Sequence, residues 1–223
     1  MKPRRFIVMG TDTGVGKTHV GVGLCVAWRA LGHAVVALKP VESGVSTLLP
    51  EEEDGARLAR ATGQESPRRA LYRLGAPIAP PAAADQEGAD LSLSTILEGL
   101  RAAEGAAEVT LIEGAGGVLS PLTWDHTALD IAREMDASVI LVAADTLGAL
   151  NQVRSALRIL WASDLEVLAV VLSDTPEGQQ PPCSNQAGLL KVPERIHAHV
   201  LPRTVGEAES AAALHALAQE LVA

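Results

Sequence analysis

Short apolar runs alternate with longer segments of helical hydrophobic spacing along most of the 223-residue chain. Five apolar runs predict β-strands: RFIVMG (5–10), HAVVALKP (33–40), VTLIEGAGG (109–117), SVILVAAD (138–145) and EVLAVVLSD (166–174). Five other segments predict helices, over residues 16–32, 51–62, 92–105, 149–163 and 207–222. A stretch rich in proline and alanine, residues 75–88, predicts a loop.

Alternation of strands with crossover helices is typical of an α/β protein in which helices cover both faces of a parallel sheet. No shift in composition divides the chain, so we expect a single domain over residues 1–223. In sheets of this kind, ligands bind at the carboxyl ends of the strands. The junctions between strands and the loops that follow them are therefore where we look for functional residues.

Composition and charge argue against several classes of function. Of all residues 48% are hydrophobic but only 2% are aromatic, so we expect a core of aliphatic side chains. A formal net charge of −9 argues against nucleic-acid binding, which depends on Lys and Arg. The first apolar run is too short for a signal peptide, and no later one is long enough to span a membrane. We expect a cytoplasmic protein without membrane contact.

The segment GTDTGVGKT (10–18) lies between a predicted strand and a predicted helix, as a phosphate-binding loop requires. The usual pattern has a glycine where this chain has Thr11, and Gly10 comes one residue too early. The rest of the segment suits the binding of phosphate and magnesium. Glycines allow backbone N–H groups to turn toward a phosphate, Lys17 can reach the outer phosphates, and the Thr18 hydroxyl can bind magnesium. We therefore interpret the segment as a variant phosphate loop rather than a glycine-rich helix cap.

Other strand ends carry further polar residues. The second predicted strand ends in LKPVESG, which places Lys39 and Ser43 at the same edge of the sheet. Glu113 lies in the third, LIEGAGG, as a magnesium-binding carboxylate of a phosphate-loop enzyme would. Lys39 could instead extend to the surface and Glu113 could cap a turn. Asp54 is a weaker magnesium ligand candidate, because three glutamates precede it and any of the four could be solvated.

Taken together, GTDTGVGKT, KPVESG, an acidic residue opening the next helix and EGAGG resemble the dethiobiotin synthetase family in order and spacing. The resemblance implies a homodimeric, magnesium- and ATP-dependent ligase with a P-loop fold. Such an enzyme closes a cyclic urea on 7,8-diaminononanoate, using CO2, in the penultimate step of biotin synthesis.

The resemblance also implies roles for individual residues. Lys17 and Lys39 become the expected catalytic residues, and Thr18, Asp54 and Glu113 the expected magnesium ligands. The implied substrate contacts are Thr11 and Ser43, with Gly148, Ala149, Leu150 and Asn151 at a helix start that binds the substrate carboxylate across the dimer interface. From the sequence alone, an ordinary loop entering a helix is the alternative for that segment. The implied nucleotide-binding residues are Gly14, Val15, Gly16, Lys17, Thr18, His19, Asp54, Glu113, Gly114, Ala115, Gly116, Ser173, Asp174, Leu201, Pro202 and Arg203.

The chain departs from the family pattern at the end of the fifth predicted strand. Ser173 and Asp174 stand where the family usually has an Asn that contacts adenine. Because serine has fewer hydrogen-bonding groups than asparagine, preference for ATP over other triphosphates is left open.

Three other classes of protein carry comparable loops. Partitioning ATPases have a lysine at the position of Asp12, and their membrane-binding helices are basic, whereas the last predicted helix here is acidic and rich in alanine. Cobyrinate-type amidation enzymes need a glutaminase domain, for which 223 residues leave no room. Small-molecule kinases use an arginine-rich lid, which the sequence does not show.

Overall fold

The computed structural model describes residues 3–174, 184–204 and 206–223. Within these ranges the strands are β1 (Arg4–Gly10), β2 (Val35–Leu38), β3 (Val41–Ser43), β4 (Tyr72–Leu74), β5 (Val109–Gly117), β6 (Ser138–Ala144), β7 (Val167–Ser173) and β8 (Ala198–Leu201). The α-helices are α1 (Lys17–Ala30), α2 (Asp54–Thr62), α3 (Pro80–Glu87), α4 (Leu93–Glu104), α5 (Ala128–Met135), α6 (Ala149–Ala162), α7 (Asn185–Leu189) and α8 (Glu207–Val222).

Six strands form one parallel sheet in the order β2-β5-β1-β6-β7-β8. The central strand, β1, pairs with β5 on one side and β6 on the other. Because every pairing is parallel, the carboxyl ends of all six strands lie at the same edge. The predicted parallel sheet is therefore confirmed, and its order brings the loop after β1 beside the end of β5.

Helices pack on both faces of the sheet, as predicted. Helices α1, α2 and α8 contribute to the core on one face, and α3 to α7 to the core on the other. Trp28 of α1 is fully buried, stacks on Phe6 with 5.1 Å between ring centroids, and donates a hydrogen bond from Nε1 to the Ala218 carbonyl of α8 at 2.9 Å. The first helix is thereby held against both the sheet and the last helix.

Several predictions of secondary structure were wrong. The stretch 75–88 is not wholly a loop, because α3 begins at Pro80, where a proline at the first helical position loses no hydrogen bond. Helix α2 begins at Asp54 rather than at residue 51. Helix α5 was missed although Thr127 and Asp130 form a capping box at its start. The short strands β3 and β4, which form a separate two-stranded parallel sheet, were also missed.

None of the helices in the described ranges combines the length and the apolar character needed to cross a membrane.

A partly buried ion pair at the amino-terminal edge of the sheet contributes to stability in a way that can be tested. Arg5 donates from Nε and Nη2 to the two oxygens of Glu104, each at 2.7 Å, and the Thr110 hydroxyl donates to Glu104 Oε1 at 2.9 Å. The hydrogen bonds from Arg5 outweigh the effect of burial and hold the pKa of Glu104 below its usual value. The ionised carboxylate therefore stabilises the fold at neutral pH, and this contribution is lost as the pH falls below about 4.

We expect Glu104→Gln to lower the free energy of unfolding by about 1–3 kcal/mol at pH 7, because it weakens hydrogen bonds to a charged group. Urea unfolding of both proteins at pH 7 and near pH 3 measures the effect. The difference in the free energy of unfolding between the wild-type protein and Glu104→Gln should shrink at the lower pH. An equal difference at both pH values would contradict a stabilising role for the ionised carboxylate.

Candidate nucleotide and metal site

The loop between β1 and α1 has the backbone that close approach to a ligand requires. Gly14 and Gly16 both have positive φ, at 76° and 95°, which glycine adopts without strain. A Cβ on Gly10 would lie 2.9 Å from Lys17 Nζ and 2.8 Å from the Asp12 carbonyl oxygen. Gly10 thus leaves the room that its neighbours need, although it stands one residue earlier than the usual pattern places the first glycine.

Lys17 begins α1 and is directed across the loop. Its ammonium group donates to the carbonyls of Asp12 at 2.9 Å and Gly116 at 2.8 Å, so it links the loop to the end of β5. Burial, followed by repulsion from Lys39, lowers the pKa of Lys17 to about 8. The positive charge is therefore poorly compensated here and would be better accommodated beside an anion.

Four side chains meet behind the loop, from α1, from the connection between β2 and β3, from α2 and from β5. We call them the Lys39 cluster: Thr18, Lys39, Asp54 and Glu113. Lys39 Nζ donates to Glu113 Oε1 at 2.6 Å and to Asp54 Oδ2 at 3.1 Å. The Thr18 hydroxyl lies 2.7 Å from Asp54 Oδ1 and 2.9 Å from Glu113 Oε1. Lys39 is therefore buried against charge and does not extend to the surface.

The electrostatics of the Lys39 cluster favour cations. Burial by itself would lower the pKa of Lys39, but the charges of Glu113 and Asp54 outweigh it and raise that pKa. Burial raises the pKa of Glu113, whereas Lys39 and the Thr18 hydroxyl together overcome burial at Asp54 and lower its pKa. Two carboxylates thus share one lysine, which leaves an excess of negative charge.

The donor set of the Lys39 cluster fits magnesium. Thr18, Asp54 and Glu113 present oxygens only, the ligands that a hard cation prefers. No group of three His, Cys, Asp or Glu side chains spaced for a metal ion occurs in the described ranges. Magnesium does not need such a group, because it commonly takes one or two carboxylates and completes its shell with phosphate oxygens and water. Glu113 Oε2 is buried and has no hydrogen-bond partner among the described residues.

A cleft of about 720 Å³ opens in front of the loop and the Lys39 cluster. It brings together ten of the residues that the sequence singled out: Gly14, Gly16, Lys17, Thr18, His19, Lys39, Ser43, Asp54, Ala115 and Gly116. Glu113 lies behind them, fully buried, and the Gly114 carbonyl accepts from Lys39 at 3.4 Å. The Thr11 hydroxyl is buried without a hydrogen-bond partner among the described residues, and Val15 packs in the core.

The residues expected near the base lie beside the cleft and do not line it. Ser173 and Leu201 are buried at the ends of β7 and β8, Asp174 donates its N–H to the Leu201 carbonyl at 3.0 Å, and Pro202 and Arg203 are exposed. His19 connects the two regions. Its Nε2 lies 2.7 Å from the Thr204 hydroxyl and 3.2 Å from that of Ser210, and burial lowers its pKa.

The segment expected to bind the substrate carboxylate lies outside this chain's own cleft. Gly148 precedes α6 with φ 96°, and Ala149, Leu150 and Asn151 form the first turn of that helix. Ala149 is buried, Asn151 is exposed, and Leu147 next to them is 82% exposed. The structure therefore separates this segment from the other predicted substrate contacts within one chain.

Sequence reasoning missed several residues that line the cleft: Glu42, Arg57, Pro77, Ile78, Ala79, Pro80, Ser120 and Pro121. Glu42 lay inside KPVESG, and an acidic residue one position before Ser43 was an available signal. Pro77 to Pro80 lay in the stretch interpreted as a plain loop. No local pattern marked Arg57, Ser120 or Pro121.

Comparison with known proteins tests the resemblance to the dethiobiotin synthetase family. A family model described as "AAA domain" matches residues 4–215. The ATP-dependent dethiobiotin synthetase BioD of Anaeromyxobacter dehalogenans (strain 2CP-C) is 37% identical over 202 residues, which cover 89% of this chain and 90% of that protein. The protein of the same name from Caulobacter vibrioides (strain NA1000 / CB15N) is 40% identical over 196 residues, covering 84% and 87%.

Solved structures agree on the fold. The septum site-determining protein MinD complexed with Mg-ADP from Pyrococcus horikoshii OT3 aligns with a TM-score of 0.56 at 18% identity, covering 99% of this chain and 96% of that one. Identity this low supports the P-loop fold and no more. Identity of 37–40% over most of both chains is far stronger evidence. The chain belongs to the dethiobiotin synthetase family.

Proposed function

We propose that this protein, an ATP-dependent ligase of biotin biosynthesis by its family, closes the cyclic urea of dethiobiotin from 7,8-diaminononanoate and CO2. ADP and phosphate are the other products. The observation that carries the proposal is the meeting of Lys17 with the Lys39 cluster at one end of the cleft. This arrangement suits a reaction in which anionic groups must be aligned and neutralised.

The proposed reaction needs no nucleophile from the protein. One amine adds to CO2 and loses a proton to form a carbamate, and a carbamate oxygen attacks the γ-phosphorus of ATP and displaces ADP. The second amine then attacks the carbonyl carbon of the mixed anhydride, and the ring closes as phosphate leaves. Within the cleft, the buried lysines and the backbone of the loop have only to hold the reactants and offset their charge.

Each part of the loop has a task in this scheme. The amides from Gly14 to Thr18 and the start of α1 would bind the phosphates, and Lys17 would exchange its two carbonyl acceptors for phosphate oxygens. Thr18, Asp54 and Glu113 would hold magnesium, which supplies neutralisation of the charge on the phosphates. The backbone of Gly114, Ala115 and Gly116 would complete the wall on the β5 side.

Lys39 and two hydroxyls would act on the diamine side. Lys39 would hold the carbamate and neutralise charge that develops on the transferred phosphoryl group, since its ammonium faces the cleft from within the Lys39 cluster. Ser43 lines the same cleft, and the Thr11 hydroxyl has hydrogen-bonding capacity that no described residue satisfies. These hydroxyls are our candidates for contact with the diamine or its carbamate.

The proposal includes a homodimer in which the start of α6 from one subunit serves the cleft of the other. Support comes from the position of Gly148 to Asn151 outside their own cleft and from the exposure of Leu147 beside them. The free N–H groups of a helix start suit a carboxylate.

Base recognition belongs to the same proposal. Ser173, Asp174, Leu201, Pro202 and Arg203 lie beside the cleft at the ends of β7 and β8, where a base extending from the phosphates would approach them. With serine at position 173, we propose ATP as the substrate and leave the order of preference among triphosphates to measurement.

Phosphate release measured with ATP, magnesium and bicarbonate, with and without 7,8-diaminononanoate, tests the function. We expect release to depend on the diamine and mass spectrometry to detect the cyclic urea, and the same assay with CTP and GTP measures base preference. ATP hydrolysis that ignores the diamine would overturn the proposal and favour a switch ATPase.

A further inference from the structure

Glu42 is a buried carboxylate that lines the cleft and that neither the loop nor the Lys39 cluster includes. It lies on β3, one residue before Ser43, and is 5% exposed. Its two oxygens accept backbone hydrogen bonds from consecutive residues, Asp54 N–H at 2.6 Å and Gly55 N–H at 3.0 Å. The carboxylate therefore spans the amino terminus of α2.

The start of α2 requires such a partner from elsewhere in the chain. A helix begins with N–H groups that have no acceptor within the helix, and a side chain at the N-cap usually satisfies one of them. Glu53 is the N-cap of α2 but makes no capping hydrogen bond with its side chain. Glu42 supplies the missing acceptors, and its negative charge suits the positive end of the helix.

The side chain of Glu53 forms an ion pair with a residue of the other strand of the small sheet. Arg73 of β4, which pairs in register with Glu42, donates to both oxygens of Glu53 at 2.8 and 2.7 Å. Two consecutive residues at the start of α2 are thus held by neighbouring residues of one two-stranded sheet, β3 and β4. We call this sheet the support ribbon.

Gly55 leaves the helix start no freedom to shift. A Cβ at that position would lie 2.3 Å from the backbone nitrogen of Ala70 and 2.7 Å from the carbonyl carbon of Arg69. The backbone of α2 is therefore packed directly on the segment that leads into β4, while Glu42 holds it from β3. Asp54 lies between these two restraints, and its carboxylate points toward Thr18 and Lys39.

We propose that Glu42 is a positioning residue that sets the carboxylate of Asp54 for the divalent cation. The inference rests on Asp54 being a magnesium ligand, as proposed above. Both Glu42 oxygens accept from backbone amides, and neither Thr18 nor Lys39 makes a hydrogen bond to this side chain. Glu42 therefore acts through Asp54 and does not replace it.

Metal affinity is the quantity that this role predicts will change. We expect Glu42→Ala to weaken Mn²⁺ binding in the presence of ADP by about 10- to 100-fold, the usual range when the partner of a metal ligand is removed. Electron paramagnetic resonance of free Mn²⁺ measures this directly and needs no diamine. Glu42→Gln, which keeps the shape but sets an NH2 group against one of the two N–H donors, should give an intermediate loss.

A double-mutant cycle separates positioning from general destabilisation. In an Asp54→Asn background, Glu42→Gln should cause no further loss of Mn²⁺ affinity, because the ligand that it positions is already impaired. ADP affinity measured in EDTA should change less than about threefold, which corresponds to about 0.6 kcal/mol. The thermal unfolding midpoint of each variant is also measured, and all binding experiments are carried out at temperatures where every variant is folded.

Two other carboxylates serve as controls. Glu87 also accepts from two consecutive backbone N–H groups, Gly75 at 2.7 Å and Ala76 at 3.2 Å, and Glu104 is buried at the opposite edge of the sheet. Glu87→Gln and Glu104→Gln should leave Mn²⁺ affinity unchanged.

Three results would overturn the inference: unchanged Mn²⁺ affinity in Glu42→Gln, full additivity with Asp54→Asn, or an Asp54→Asn variant that binds Mn²⁺ normally. If the diamine assay yields no cyclic urea, the proposed reaction is wrong. The Mn²⁺ measurements do not depend on that reaction and would still test the role of Glu42.

Discussion

Lys39→Ala should lower turnover by about 10²- to 10³-fold while ATP affinity changes only a few-fold. The magnitude is the usual cost of removing one group that stabilises charge in a transition state. Lys39 donates to Glu113 and Asp54 and lines the cleft in front of the loop, but it makes no hydrogen bond to the loop itself. Steady-state kinetics with the diamine, together with equilibrium ATP binding, check both parts of this prediction.

The same substitution should destabilise the protein. Without Lys39, Glu113 is left fully buried beside Asp54, and removal of one partner from a buried ion pair costs about 3–5 kcal/mol. Kinetics must therefore be measured well below the unfolding midpoint. A second variant, Lys39→Ala with Glu113→Gln, should recover part of the stability but not the turnover. Unchanged turnover in the folded Lys39→Ala protein would end the assignment of Lys39 to the reaction.

Lys17→Met should have the opposite profile, with ATP affinity reduced by about 10²-fold and stability maintained. Hydrogen bonds to a charged group contribute about 1.5–3 kcal/mol each, and Lys17 is the residue that we expect to bind the outer phosphates. Isothermal titration with ATP and magnesium measures the loss. A variant that binds ATP as tightly as the wild-type protein would contradict the assignment.

The stability of the Lys17→Met protein follows from the direction of the pKa shift. Because the pKa of Lys17 is lowered to about 8 from its ordinary value of 10.5, the folded protein binds fewer protons at this residue than the unfolded chain between about pH 8 and pH 10.5. The charged lysine therefore costs stability at neutral pH, and that cost disappears as the pH rises through this window. Lys17→Met should equal or exceed the wild-type stability at pH 7, with an advantage that vanishes near pH 10.5. Urea unfolding at pH 7, 9 and 10 measures this difference, and marked destabilisation at pH 7 would contradict it.

Local patterns in the sequence determined the main elements of the fold. The apolar runs over 5–10, 109–117, 138–145 and 166–174 correspond to β1, β5, β6 and β7, since a strand buried on both faces has to be apolar throughout. The dethiobiotin synthetase resemblance, drawn from motifs at the strand ends, was confirmed by relatives 37–40% identical over most of the chain. Glycines at positive φ and the Gly-Lys-Thr sequence are equally local, so the phosphate loop was evident in spite of its displaced first glycine.

Elements stabilised by distant partners could not be predicted in this way. The strands β3 and β4 have three residues each and a weak pattern of their own, and they exist because residues about 30 positions apart pair in register. Helix α3 begins with two prolines, which resemble a loop unless the helix start is known. Its burial against the sheet decides in favour of the helix.

The choice among neighbouring acidic residues was also decided only in three dimensions. The sequence offered Glu51, Glu52, Glu53 and Asp54 as four similar carboxylates at one helix start. The fold directs Glu53 to Arg73 and Asp54 to Thr18 and Lys39. That selection depends on where the support ribbon holds α2. The sequence by itself determined which strand ends carry the chemistry, because their residue types and spacing are local, whereas tertiary contacts alone decided which carboxylates face the cleft.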